Sequence, residues 1–329
     1  RAWPDMQLLR RPSMRTILAT CAALLAQWAM AGDASLVHPA LKPIQVGTHS
    51  WYVQGEAGPA SLANAGYNSN AGFVVTGDGV VVIDALGTPA LGEALIAAIR
   101  RVTDQPIRRV LVTHYHADHF YGLQAFKAVG AEVWAHRSGR EYIEGEEGRA
   151  RLEQRRRDLD PWVDGKTRLI TADLWLEGDT SFRLGDISFE MIHMGPAHAP
   201  DDMVVVVRED GVIYSGDILF IGRIPFVGDA DSKRWLTTMD RLLALKPGTL
   251  VTGHGPASTD PARDLGLTRD YLTYLRTEMG RAVSDFMPFD EAYARTDWRR
   301  WEKMPAFDAA NRVNAYGTYL RMEQEALDR

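Results

Sequence analysis

Apolar and polar positions along this chain change their period several times, and each change marks an element. The runs Gly72-Phe73-Val74-Val75-Thr76 and Val80-Val81-Val82-Ile83-Asp84, joined by Gly77-Asp78-Gly79, predict a β-hairpin, because β-branched runs flank a glycine-rich turn. Between residues 89 and 102, Leu91, Leu95, Ile96 and Ile99 recur at helical spacing and predict a helix. Residues 109–113 return to a strand pattern, 121–129 read as a helix and 132–135 as a strand. Strand signals follow at 180–184, 187–192, 203–208 and 212–214, with Leu250-Val251-Thr252 a later one. Residues 35–60 read as a lead-in and the first strands. Residues 261–329 are helical in pattern, with Leu272, Tyr274 and Leu275, then Tyr316, Tyr319 and Leu320.

Strands alternating with helices predict an α/β protein. The charged stretch 137–170, with runs such as Arg155-Arg156-Arg157, reads as an inserted helical excursion with a solvated face and no binding role. No internal repeat or low-complexity tract interrupts the pattern. A length of 329 residues allows one large domain with an appendage, or two domains, and the body lacks an apolar run of membrane-spanning length.

The first residues change the picture. Arg10, Arg11 and Arg15 precede an apolar stretch at 17–25 and the small-x-small end Ala29-Met30-Ala31, the parts of a secretory signal peptide over residues 1–31. The expected location is periplasmic or secreted, with no stable membrane insertion after the signal is removed. Cys21, the only cysteine, lies inside that stretch, so the mature chain would hold any metal through His and carboxylate. Removal of residues 1–31 takes four Arg and one Asp, moving the net charge from −6 to −9. So acidic a chain is a poor fit to nucleic-acid phosphates, and a small-molecule substrate is expected instead.

Five histidines and two aspartates fall at four places, each at the end of a predicted strand. The first is Thr113-His114-Tyr115-His116-Ala117-Asp118-His119. In an extended turn, His114 and His116 point the same way and can share one metal. A helix starting there would swing Asp118 and His119 toward a second position. Four ligand-type side chains in six residues are costly to pack unless a metal orders them. The other places are Gly195-Pro196-Ala197-His198, Ser215-Gly216-Asp217 and Gly253-His254-Gly255, each a glycine-containing turn. His38, His49, His136 and His193 read as hydrogen-bonded structural residues, and Tyr115 and Tyr214 as packing against the sheets.

This ordered set resembles the metallo-β-lactamase superfamily, from about residue 45 to 260. The resemblance implies a four-layer αββα sandwich (residues 45–260) with a helical C-terminal extension (261–329). It assigns His114, His116 and His198 to a first Zn2+, Asp118, His119 and His254 to a second, and Asp217 to both. It also makes Asp84 the residue that orients the metal loop. Two zinc ions per chain would activate a shared hydroxide against a carbonyl, with Asp118 orienting the nucleophile or relaying its proton.

Asp217 stands where the best-known β-lactamase subclass has cysteine, and Ser215-Gly216-Asp217-Ile218-Leu219-Phe220 with Gly222-Arg223 is more like glyoxalase II and related hydrolases of thioesters or lactones. Asn70-Ala71-Gly72-Phe73-Val74-Val75-Thr76 and Gly222-Arg223-Ile224-Pro225-Phe226 are similar to exported bacterial hydrolases associated with quinoprotein or sulfur-oxidation systems. A β-lactamase, a mononuclear iron persulfide dioxygenase and a non-catalytic zinc-binding accessory protein are the competing expectations. Trp298, Trp301 and Phe307 are expected in core packing. The C-terminal helices are expected to cover one side of the cleft or to form an oligomer contact.

Overall fold

A computed structural model describes residues 40–328. The expected signal peptide, Cys21 and His38 lie outside the described residues. The first sheet contains β1 (Ile44–Gln45), β2 (Ser50–Val53), β3 (Ala71–Thr76), β4 (Gly79–Ile83), β5 (Ile107–Leu111), β6 (Glu132–His136) and β7 (Leu174–Leu176), in that spatial order. It is antiparallel from β1 to β4 and parallel from β4 to β7. The second sheet holds β8 (Thr180–Leu184), β9 (Ile187–His193), β10 (Met203–Val207), β11 (Val212–Tyr214) and β12 (Thr249–Val251), ordered β12-β11-β10-β9-β8. Its β11–β12 pair is parallel and the rest antiparallel.

The helices are α1 (Pro89–Arg100), α2 (Ala117–Phe120), α3 (Leu123–Ala128), α4 (Arg140–Glu144), α5 (Glu146–Leu159), α6 (Ser232–Ala244), α7 (Pro261–Asp264), α8 (Gly266–Ser284), α9 (Phe289–Arg295) and α10 (Phe307–Leu327). No helix among the described residues is long and apolar enough to cross a membrane.

Three apolar clusters separate these elements into four layers. In β4, Val80 and Val82 join the cluster under α1 and α3, whereas Val81 and Ile83 enter the cluster between the sheets. In β10, Val204 and Val206 face the cluster under α6 and α8, while Met203, Val205 and Val207 face inward. Alternate residues of a strand point to opposite faces, so a strand covered on both sides needs an unbroken apolar run. That is why these strands read as valine-rich runs. The αββα sandwich with its helical C-terminal region is the architecture the sequence implied.

The differences have local causes. The strand expected at 109–113 ends at Leu111. Val112 still donates to the Trp134 carbonyl at 2.9 Å, but the Thr113 amide leaves the sheet for the Asp84 carboxylate at 2.8 Å. The helix expected at 121–129 is α3, which starts at Leu123; it is separated from the preceding α2 around Gly122, whose backbone sits against the Ala85 carbonyl so closely that a Cβ would lie 1.9 Å from it. Helix α6 carries no expectation from the sequence reading. It is amphipathic, with Trp235, Met239 and Leu242 buried and Asp231 capping its start through the Arg234 amide.

Trp301 is fully buried in the C-terminal cluster, and Trp298 and Phe307 pack against it, as expected. The stretch 137–170 departs from its expected role: one face of α5 lines the cleft described next.

Candidate metal centre

The site begins with a strained turn under a strand end. Asp84, just past β4, has φ +61° and Leu86 φ +68°, a left-handed backbone that costs energy in residues with a Cβ. The turn is held from above, because the Ala85 amide donates to the His119 carbonyl at 2.7 Å and the Gly122 amide to the Leu86 carbonyl at 3.1 Å. It aims the Asp84 carboxylate into the loop after β5. Oδ1 accepts from the Thr113 amide; Oδ2 accepts from the Thr113 hydroxyl at 2.8 Å and from His119 Nδ1 at 3.0 Å.

These bonds decide which ring nitrogens carry protons. His119 gives its Nδ1 proton to Asp84, which turns Nε2 toward Asp217. Burial opposes a charge on the ring, but Asp217 and Asp118 outweigh it and raise the pKa well above the usual imidazole value, so a metal ion would take the place of the Nε2 proton. The Thr113 hydroxyl proton is committed to Asp84, so its oxygen accepts from His114 Nδ1 at 3.1 Å, leaving His114 Nε2 bare. His254 Nδ1 donates to the Asn68 carbonyl at 2.6 Å. Arg223 Nη1, 3.3 Å from that same nitrogen, is therefore a neighbouring donor with its own acceptor in the Gly58 carbonyl at 3.1 Å. Three imidazoles thus present Nε2 in one direction, each fixed from behind.

They converge on Asp217. His119 Nε2 lies 3.2 Å from Oδ1; His198, His254 and His114 Nε2 lie 3.2, 3.4 and 3.8 Å from Oδ2. His116 Nδ1 meets His198 Nε2 at 2.8 Å, with the rings nearly perpendicular at 86°. Asp118 Oδ2 is 3.4 Å from His254 Nε2 and 4.0 Å from His119 Nε2. The ligand atoms of His114, His116, His198 and Asp217 form one compact group, and those of Asp118, His119 and His254 another, each within 4.8 Å. All seven residues singled out in the sequence are therefore brought together.

A cation fits these groups. His114 Nε2, His119 Nε2 and Asp217 Oδ1 are buried without a hydrogen-bond partner, a costly state that a metal in either group would relieve. Burial opposes ionisation of Asp217, yet His254, His119 and His198 hold its pKa well below the usual carboxylate range. Burial and the neighbouring His198 press the His116 pKa down to about 3, and burial with His119 and His116 pushes that of His114 well below its usual value. Lone pairs rather than protons are thus favoured on those two rings.

Backbone placement is equally specific. Asp217 sits in a tight turn after β11 with its carboxylate against Gly253, where a Cβ would come within 1.9 Å of Oδ1. His254 stacks on Phe220, ring centroids 4.9 Å apart and 7° from parallel. His198 packs edge-on against Trp235, whose indole N–H is tied to the Ile218 carbonyl at 3.0 Å.

Several supporting residues carried no expectation. Asn68 donates to Asp118 Oδ2 at 3.1 Å and accepts from His254, and the Ser69 hydroxyl donates to the Asp118 carbonyl at 2.5 Å. Asn70 donates to the Thr252 and Gly255 carbonyls at 2.8 and 2.7 Å. Asp201 accepts from the Tyr115 amide at 2.9 Å and Asp202 from the Ala199 amide at 2.8 Å; burial raises their pKa values to about 6 and about 7. The one available signal was a polar triplet, Asn68-Ser69-Asn70, directly before an apolar strand.

Tyr115 and Tyr214 pack as expected, the Tyr214 hydroxyl donating to the Trp51 carbonyl at 2.9 Å. His136 and His193 stand apart from both groups and stack on each other at 3.7 Å, while His49 donates to the Val75 carbonyl at 3.2 Å.

Above the two groups opens a cavity of about 520 Å³. Arg151 and Arg155 of α5 line one side, Val313, Tyr316 and Leu320 of α10 another, and Arg223 the end near His254. A second space of about 350 Å³ adjoins it past His116 and His198.

A family model described as the metallo-beta-lactamase superfamily matches residues 65–254. The chain is 21% identical over 254 residues to a linear primary-alkylsulfatase of Pseudomonas sp., covering 65% of this chain and 47% of that protein. It is 26% identical over 200 residues to a probable metallo-hydrolase, YqgX, of Bacillus subtilis, covering 57% and 85%. Its fold is similar to that of the inverting sec-alkylsulfatase Pisa1 from Pseudomonas sp., with TM-score 0.64 and 20% identity over 85% of this chain and 50% of that one. The chain spans about half the length of these alkylsulfatases.

Proposed function

Because the chain belongs to the metallo-beta-lactamase superfamily, we propose that it is an exported hydrolase with two zinc ions per chain, cleaving a carbonyl substrate such as a thioester, lactone or amide. In this reading His114, His116 and His198 hold one ion, Asp118, His119 and His254 hold the other, and Asp217 serves both. The observation that carries it is the position of Asp217, whose two oxygens lie 3.2 Å from His119 of one group and 3.2 Å from His198 of the other. When bound, the ions would supply Lewis acidity and lower the pKa of water from about 15.7 toward about 7.

The chain's own residues do the rest. Asn68 and His254 contact Oδ2 of Asp118, leaving Oδ1 to orient a water and accept its proton. Asp84 fixes the loop, so His114 and His119 keep their Nε2 atoms turned toward the ion sites. Arg223, held by the Gly58 carbonyl, adds positive charge beside the cavity where negative charge develops on the substrate.

Metal analysis combined with a hydrolysis panel tests the reading. The panel comprises thioester, lactone, β-lactam, phosphodiester and alkyl sulfate substrates. Two zinc per chain with acyl hydrolysis is the expected result. One iron per chain with oxygen uptake from a persulfide would sink it, as would two zinc with no turnover of any panel member. Export rests on the basic, apolar and small-x-small order of residues 1–31. N-terminal sequencing of protein from the periplasm should begin at Gly32.

A further inference from the structure

Helix α5 carries many charges, and Arg149 and Arg156 among its arginines have partners within the protein. Arg156 pairs with Glu153 and donates to the Thr167 carbonyl at 2.7 Å, while Arg140 in α4 pairs with Glu144 at 3.0 Å. Arg151 and Arg155 differ. Spaced four apart, they share a face of α5, and that face lines the cavity above the metal groups. Arg151 contacts the neutral Gln154 at 3.0 Å. Arg155 Nε is buried with no hydrogen-bond partner. Among the described ion pairs neither guanidinium has a carboxylate. Exposed Glu147 lies at the rim, Asp229 lines the cavity from another loop, and Asp118 on the floor feels the charge of Arg155 without forming an ion pair with it.

Helix α10 also lines the cavity. Val313, Tyr316 and Leu320 are 51%, 47% and 44% exposed, and their spacing puts them on one face. The other face is fixed to the floor. Asn314 accepts from the Val227 amide at 2.7 Å and donates to the Pro225 carbonyl at 2.8 Å, and Gly317 packs against the Gly228 carbonyl. The apolar stripe is thus held at a set place over the metal groups and not left for folding to cover.

We propose that the cavity reads an amphipathic anion: a negatively charged group, separate from the bond that is cleaved, binds Arg151 and Arg155, and an apolar chain lies along Val313, Tyr316 and Leu320. An unpaired, partly buried guanidinium is costly unless an anion completes its hydrogen bonds, and an exposed apolar stripe inside a cleft gains by covering. The assignment rests on the hydrolase reading above for the fate of the substrate, but binding alone can test it.

The probe is octanesulfonate, which has no acyl bond, against uncharged octanol, both below their aggregation concentrations. Calorimetric titration is run on the full chain, zinc-loaded and chelator-treated. Octanesulfonate should bind more tightly than octanol in both forms. The double substitution Arg151→Gln/Arg155→Gln should weaken octanesulfonate by about 10- to 100-fold and leave octanol within about twofold. Arg155→Lys, which keeps the charge, should restore part of the loss when Arg151 is intact. Val313→Asp, at an exposed position, should weaken both ligands.

Preference for octanesulfonate that vanishes on chelation and ignores the arginine substitutions would overturn the proposal, because the metals alone would then hold the anion. Equal binding of both ligands would overturn it too. An enzyme that hydrolyses nothing yet keeps the arginine-dependent preference would defeat the hydrolase reading and leave this one standing.

Discussion

The floor and the walls of the cleft are built by different means. Every floor residue sits in the loop or short helical turn that follows a strand: the group at 114–119 after β5, running into α2, His198 after β9, Asp217 after β11, His254 after β12. Most are gripped from behind by a second contact, as Asp84 grips His119 and Asn68 grips both His254 and Asp118. The walls are helices α5 and α10, set in place by tertiary packing, and the side chains they offer the cavity are held by few contacts, such as Arg151 to Gln154 and Tyr316 against Phe289. Chemistry is thus placed on over-determined positions and selectivity on loosely held ones. Floor substitutions should damage metal retention and turnover together, and wall substitutions should change only what is bound.

The largest break in that contrast is expected at Asp217. Asp217→Ala should cost at least one metal ion per chain by mass-spectrometric metal analysis and lower kcat by more than about 10²-fold, beyond the range typical of supporting residues. A variant keeping two tightly held ions and full turnover would remove Asp217 from both groups. Next comes Asp84→Asn. An amide there would turn donor against donor toward the Thr113 hydroxyl and His119 Nδ1. Metal affinity, measured by competition with a chelator, should fall about 10- to 100-fold.

On the wall, Tyr316→Ala should raise KM for long-chain substrates by about tenfold, as expected for lost apolar burial, with metal content unchanged. Loss of metal in that variant would erase the distinction between floor and wall. The smallest effect concerns the stacked pair outside the cleft. Burial and His193 lower the His136 pKa to about 4, so its neutral form contributes stability above pH 6.5 that is lost as pH falls through about 4. Melting of the metal-free protein should show this acid limb, and His136→Phe should flatten it.

The same contrast explains what the sequence could reveal. Metal-type side chains in strand-end turns are unusual enough to be recognised in order: His114, His116, Asp118, His119, His198, Asp217 and His254 were all identified as one set. Strands buried on both faces announce themselves as valine runs, as β4 and β10 do. The wall left no such mark. Arg151 and Arg155 lie in a helix whose composition is that of an ordinary solvated face, and only the fold turns that face inward. Ser69 and Asp202 support the floor by bonding to backbone groups and Asn68 partly through its own carbonyl, contacts that no residue type announces. The break at Gly122 depended on the Ala85 carbonyl, distant in sequence, and no local pattern encodes it.

The segment 68–70 carries a further consequence. Its three residues precede β3 of the first sheet, yet they bond to Thr252, His254 and Gly255 beyond β12 of the second. They also hold Asp118. The segment is a hinge pin through both halves of the sandwich, so any opening of the sheets would have to shear it and scatter the floor at once. An ion gripped there would lock the same joint. Amide hydrogens of β3 and β12 should therefore exchange with solvent as one cooperative unit, and metal should slow both together.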